Sequence, residues 1–251
     1  MKKKLDVLNM KDLEKIEVAS LEYCNVKYNN QITSIDWVNL NQVIDMLQKI
    51  NIDKSDYLKE KIYYNQHGLR HHLRVQLYSY ILLKYLNYDI QDIELMNYIC
   101  AIHDTQRKNN YKDTAHGLLA YDKFVKNNDA FANDVKNLIK KVLEEHDSKI
   151  TYTDNLYLMV LKCADALDRF RLRNLGGWIN FDRVPLSDKE ELKILREKSK
   201  QLVMVCRKLT IQTEKDRLLY PEKKDFDIIV KSLNLIIKED NRNEKDVNRS
   251  K

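Results

Sequence analysis

Ile93-Glu94-Leu95-Met96-Asn97-Tyr98-Ile99-Cys100-Ala101-Ile102-His103-Asp104 is an apolar run that ends on two polar, metal-competent side chains. The run predicts a buried helix from about Asp92, and its last two residues fall where that helix should finish. An unpaired carboxylate in such a place costs several kcal/mol, so His103 and Asp104 need partners. His71 lies upstream, and His116, His146 and Asp165 lie downstream. Together these six positions can hold a pair of divalent ions among helices.

Outward from this run the same helical period recurs. Before residue 62 two or three helical patterns appear, one with Trp37, Val43, Ile44, Leu47 and Ile50. A helix predicted from Gly68 carries Leu69, Leu73, Leu77 and Ile81 as a buried stripe. Thr105 to Lys112 is polar and reads as a loop, after which Asp113 or Thr114 can cap a helix with His116 in its first turn. Val135, Leu138, Ile139, Val142 and Leu143 form an apolar face, and His146 continues it. Leu158, Leu161, Asp165, Asp168 and Leu172 share one side of the next helix, which Gly176-Gly177 should end, with Pro185 beyond. Ser187-Asp-Lys-Glu190 has the form of a capping box before a long helix through Leu192, Leu195, Leu202 and Leu209. Pro221 opens a last helix with Phe226, Ile229, Val230, Leu233 and Ile237 facing inward.

With two prolines, four glycines and no Gly/Ser-rich linker in 251 residues, the chain reads as an all-α, single-domain helical bundle. Residues 1–66 form an N-terminal helical extension, 67–175 the core with the candidate site, and 176–237 the helices that complete the domain. Residues 238–251 are polar and are expected to be a disordered tail. No internal repeat is visible. A hydrophobic share of 43% is enough for a sizeable core and argues against global disorder. The formal excess of +6 is spread thinly, so nucleic acid is not indicated as a partner. Lys2-Lys3-Lys4 is not followed by an apolar run, and no stretch nears the roughly 20 apolar residues that span a bilayer. Cys24, Cys100, Cys163 and Cys206 are scattered, three of them in apolar helical patterns, and read as core residues in a reducing compartment. A cytoplasmic protein without a membrane partner is the expectation.

At a helix terminus His103 and Asp104 can both lean toward an ion. Asp104 has two oxygens and can bridge two ions, with His71 and His103 on one, His116 and His146 on the other, and Asp165 closing the site. Each residue also has a bland reading. His146 can be a hydrogen-bonded core histidine, Asp165 a helix ion pair with Lys162 or Arg169, and His116 a surface residue. Coincidence favours the site: at least four of the chain's six histidines can join one inward cluster. Asp165 and Asp168 also interrupt a stripe that should otherwise be apolar.

His71-x-x-Arg74-Val75, His103-Asp104, His116-Gly117, Glu145-His146 and Lys162-Cys-Ala-Asp165-Ala-Leu-Asp168-Arg169 together resemble the HD superfamily of metal-dependent phosphohydrolases, in its two-metal form. The match covers about residues 67 to 172 and implies the HD-type helical bundle. It implies as metal ligands His71, His103, Asp104, His116, His146 and Asp165, with His71 chosen from His67, His71 and His72 because it stands three before Arg74. His67 lies one helical turn earlier and would approach the substrate, while His72 points away toward the rim. Asp168 would orient a ligand histidine or pair with Arg74, or else be a helix-surface ion pair. Gly68 and Gly117 either let substrate or bound water approach the backbone or merely ease the start of a helix.

The activity implied is hydrolysis of a phosphate ester, a nucleotide or cyclic nucleotide, by a metal-bound hydroxide between ions about 3.5 to 4 Å apart. Asp104, Arg107 and Asp168 form the expected catalytic set, and His67, Arg74 and Arg107 the substrate contacts. Arg107 would clamp phosphate, or else be a solvated loop charge beside Lys108. Two divalent ions are expected, and the ligands do not choose among Mn, Fe, Zn, Co, Ni and Mg. An alternative is a di-iron oxygenase resembling myo-inositol oxygenase. An inactive binding module would have lost ligands, and here none is missing.

Overall fold

The computed structural model describes residues 9–28, 31, 32, 35, 37–110, 113–171 and 181–249, with backbone alone from 238 onward. It is all-helical, as the sequence predicts. The α-helices are α1 (Met10–Lys27), α2 (Leu40–Gln48), α3 (Glu60–Tyr63), α4 (Leu69–Tyr85), α5 (Ile90–Ile102), α6 (His116–Phe124), α7 (Asn133–Glu145), α8 (Leu156–Leu167), α9 (Glu190–Gln201), α10 (Val203–Leu219) and α11 (Asp225–Arg249). Asn9, Asn39, Asp89 and Asn155 cap α1, α2, α5 and α8, each accepting a first-turn backbone N–H that would otherwise lack a partner. Asn87 follows α4 with φ of 58°, a left-handed conformation that asparagine tolerates and that turns the chain into α5.

The central element is α4. It packs against α2, α5, α8, α9 and α11, and residues 71–83 are all buried. A single stripe at Leu69, Leu73, Leu77 and Ile81 therefore understates it, because neighbours close on every side. Its polar residues survive burial by pairing. Gln76 donates to Asn97 at 2.7 Å, Asn97 donates to the Met46 carbonyl at 2.8 Å, and Tyr78 donates to the Cys206 carbonyl at 3.0 Å. One apolar cluster extends from Ile16 on α1 to Ile236 on α11, so the terminal helices share the core of the central ones. Among the described residues no helix is long and apolar enough to cross a membrane.

Several local expectations are corrected. Leu192, Leu195, Leu202 and Leu209 are all buried, but the chain breaks at Leu202 into α9 and α10. No capping box forms at Ser187, whose hydroxyl donates instead to Asp154 at 2.8 Å, and α9 begins from Lys189 without a side-chain cap. Asp113 closes the preceding loop by accepting Lys108 N and Ala115 N, and Ala115 occupies the cap position of α6. The last helix starts at Asp225 rather than at Pro221 and continues to Arg249 through the segment expected to be disordered. Helical hydrogen bonds are local and need no apolar partner, so polar composition alone does not end a helix. Helix α8 gives way to a 3₁₀ turn at Asp168–Arg171, and Leu172, Gly176 and Gly177 lie outside the described residues.

Candidate metal centre

The candidate ligands sit at helix ends. His71 is in the first turn of α4, His103 follows the last residue of α5, His116 begins α6, and His146 follows α7, with Asp165 near the end of α8. Asp104 lies in the turn after α5. Three groups of donors converge closely enough to hold an ion: His71, His103 and Asp165; Asp104, His116 and His146; and His67, His71 and Asp104. All six residues named as ligands are thus brought together, and His67 joins them.

The tautomers of the histidines are dictated by what lies behind each ring. Nδ1 of His103 is 2.8 Å from the Cys100 carbonyl, Nδ1 of His146 is 2.6 Å from the Leu143 carbonyl, and Nδ1 of His116 meets the Asp113 carbonyl. A carbonyl only accepts, so each Nδ1 carries a proton, and in the neutral ring Nε2 has the lone pair. Nδ1 of His71 faces Asp168 Oδ2 at 2.7 Å, with the same consequence. The Nε2 atoms then confront one another, His71 with His103 at 3.2 Å and His116 with His146 at 2.9 Å. At His71 and His103, which burial keeps neutral, lone pair opposes lone pair, which is repulsive unless a cation lies between; at the other pair Asp104 favours a proton on His116 Nε2, the place a cation would take. The residues therefore fit a bound metal, and histidines tied back through their second nitrogen are how proteins orient such ligands.

Asp104 connects the two pairs. Its Oδ1 is 3.0 Å from His116 Nε2 and 3.4 Å from His146 Nε2, while its Oδ2 is 3.6 Å from His71 Nε2 and 3.9 Å from His103 Nε2. His67 Nδ1 also reaches Oδ2, at 2.8 Å. Asp165 Oδ1 lies 3.5 Å from His71 Nε2, and its side chain is 42% exposed where that of Asp104 is 5% exposed. Solvent therefore meets the cluster on the Asp165 side.

Burial sets the charge states. It pulls His71 well below the usual histidine range and His103 down to about 4, so both are neutral at pH 7. His67 is lowered for the same reason. Burial is the largest influence on His116 and opposes its charge, but the hydrogen bond to Asp104, the Asp104 charge and the Asp113 carbonyl together outweigh it and raise the histidine. For Asp104 burial is overcome by His103, Arg107, His116 and His146, which hold the carboxyl well below its ordinary value.

Behind His71 runs an ion-pair relay. Asp168 accepts from Arg74 Nε at 2.5 Å, and Arg74 Nη1 donates to Glu214 on α10 at 2.7 Å. Arg70 spans Glu214 at 3.5 Å and Asp225 at 3.3 Å. Arg171 adds a contact to Asp168 Oδ2 at 3.2 Å and donates to the Gln66 carbonyl. Asp168 thus both orients His71 and pairs with Arg74. Asp168, expected in the catalytic set, is wholly buried behind the His71 ring. Arg74, expected among the substrate contacts, is 1% exposed, with its guanidinium paired to Asp168 and Glu214.

Other expectations resolve on geometry. Arg107 is no solvated loop charge; it is buried, with Nη1 3.2 Å from Asp104 Oδ1 and 3.3 Å from His116 Nε2. His72 is not on the rim but 1% exposed, stacked on Tyr57 and hydrogen-bonded to its hydroxyl at 2.9 Å. Both glycines face backbone. A Cβ on Gly117 would stand 1.8 Å from the Leu143 carbonyl oxygen, and one on Gly68 would stand 2.0 Å from that of Tyr63. Each permits two backbone segments to touch. At Gly117 this joins α6 to the carbonyl that holds His146. Lys162 supports the same histidine, donating to the His146 and Ser148 carbonyls at 2.8 Å each. Glu214, Arg171 and Tyr57 were not singled out from sequence, and nothing local to them marks them. No protein-family model, curated protein or solved structure matches the chain.

Proposed function

We propose that this protein is a metal-dependent phosphohydrolase of the HD type, with two divalent ions held by His71, His103, Asp104 and Asp165 on one side and by Asp104, His116 and His146 on the other. The observation that carries the reading is the opposition of two imidazole pairs across one carboxylate, each Asp104 oxygen facing one pair. When bound, two such ions lower the pKa of a water and polarise phosphoryl oxygens. The chain's own contribution is positional. Asp104 keeps its negative charge toward both pairs, and Asp168 holds the His71 ring with Nε2 inward. His67 donates an Nδ1–H hydrogen bond to Asp104, which leaves its Nε2 to accept a proton from a substrate or water. Arg107 supplies a guanidinium for phosphate oxygens. The exposed edge at Asp165 is the entrance, and the substrate is a small phosphate ester, with nucleotides and cyclic nucleotides the first class to examine.

The test is a panel of phosphomonoesters, nucleotides and cyclic nucleotides offered to protein stripped of metal and reloaded with Mn²⁺. Turnover that requires Mn²⁺ and is lost in Asp104→Asn is expected. Fully loaded protein that cleaves nothing on the panel rejects the proposal.

A further inference from the structure

Lys162 fastens the end of α7 to α8. The last carbonyls of a helix have no partner within it and must find donors elsewhere. That of Leu143 accepts His146 Nδ1 at 2.6 Å, and that of Glu145 accepts the Ser148 backbone N–H at 3.0 Å and its hydroxyl at 2.6 Å. The carbonyls of His146 and Ser148 both accept from Lys162 Nζ, at 2.8 Å each. The ring of His146 and its backbone are therefore fixed by separate bonds, one within α7 and one from α8.

The same stretch of α8 also supplies a candidate ligand. Asp165 follows Lys162 by three residues, which places both on one side of the helix. Its Oδ1 faces His71 Nε2 at 3.5 Å. One helix thus carries a ligand of the His71 and His103 position and the anchor for a ligand of the His116 and His146 position. Every other buried residue of α8 is apolar, from Leu158 to Leu167, and Lys162 is only 8% exposed. Burying a lysine amino group is costly unless it is well bonded. Lysine commonly caps the carbonyls at the end of its own helix. Here the cap comes from a neighbouring helix, and one of the capped carbonyls belongs to a candidate ligand.

We propose that Lys162 is a positioning residue that sets the spacing between the two ion positions. It makes His146 and Asp165 parts of one rigid unit by tying α7 to α8 at the level of the site. This rests on the two-ion reading given above and extends it to a side chain that binds neither ion. Residues 146–155 join α7 to α8 without a helix of their own. Once the Lys162 bonds are removed, the His146 backbone can shift against α8 while its ring keeps the bond to Leu143. Every ligand is then still present, but the distance across Asp104 is no longer fixed.

The test compares wild type with Lys162→Met and His146→Ala. It uses calorimetric titration of Mn²⁺ into the metal-free full chain and electron paramagnetic resonance of the loaded protein. Wild type should bind two Mn²⁺ and give the signal of a coupled pair. His146→Ala should bind one and lose that signal. Lys162→Met should still bind two at saturating Mn²⁺, with the event that His146→Ala removes weakened by about tenfold or more. Its coupled signal should broaden as the spacing becomes heterogeneous. Urea unfolding of the metal-free proteins reads any general loss of stability separately. Lys162→Gln, polar and one bond shorter, repeats the comparison should the methionine variant fail to fold. A coupled signal and Mn²⁺ affinities like those of wild type in these variants, whatever their urea midpoints, overturn the proposal and leave the metal centre standing. A wild type that binds no Mn²⁺ overturns both.

Discussion

Asp168 Oδ2 lies 2.7 Å from His71 Nδ1 while its other oxygen receives Arg74. One carboxylate therefore orients a candidate ligand and neutralises a buried guanidinium. Asp168→Asn keeps the shape but removes the charge, and should weaken Mn²⁺ binding at His71 and His103 by about 10–100-fold. Asp168→Ala should in addition cost about 3–5 kcal/mol in urea unfolding, because Arg74 is left buried with less compensation. Wild-type affinity in Asp168→Asn would remove Asp168 from any role at the centre.

Gly117 touches the backbone that anchors His146. A methyl group there meets the Leu143 carbonyl oxygen at 1.8 Å, a distance that backbone cannot absorb without α6 moving from α7. Gly117→Ala should destabilise the protein by more than about 1 kcal/mol, the reverse of the usual gain from alanine in a helix. It should also weaken Mn²⁺ binding at His116 and His146 more than at His71 and His103, since His116 and His146 come from the two helices being separated. Equal or greater stability than wild type would contradict the close approach.

Ion loading should raise thermal stability, because the folded state alone assembles the donors. At a Mn²⁺ concentration 100 times the dissociation constant the gain is about 2.7 kcal/mol per site. His103→Ala and His146→Ala should each cut the bound Mn²⁺ from two to one by elemental analysis. Unchanged stoichiometry in both would dissociate these histidines from metal binding.

The metal-free protein should lose stability in mild acid. Histidines in the unfolded chain take up protons near pH 6.5. In the folded protein burial holds His71 and His72 well below that, His103 at about 4, and His67 lower than usual. Their contribution is present in full above pH 6.5 and is lost as pH falls through that value toward about 4. His116, raised by Asp104, acts in the opposite sense, one residue against four. The urea midpoint should therefore be lower at pH 5 than at pH 7.5, and a midpoint that holds or rises would refute this balance.

Much of the site was legible because its donors stand where helices end. His103-Asp104 closes an apolar run, His116 opens a helix and His146 continues an apolar face, so chemistry and period spoke together. Arg74 and Arg107 were not legible in the same way. Each is an arginine three residues after a candidate ligand, yet one points behind the centre to Glu214 and the other into it. Glu214 lies 140 residues from Arg74, and no local pattern connects them. The break at Leu202 was hidden because the apolar residues on both sides of it are equally buried. Gly117 read as a way into a helix, whereas its missing side chain serves a contact with Leu143 that only the packed helices reveal.

Sequence alone determined the helical class and the inventory of imidazoles and carboxylates, since both follow from side-chain type and local period. The folded chain decided which nitrogen of each ring faces inward, which carboxylate each arginine satisfies and which oxygen of Asp104 meets which histidine pair. Those choices depend on hydrogen bonds between residues far apart in the chain, and directional bonds are settled only when the helices have packed.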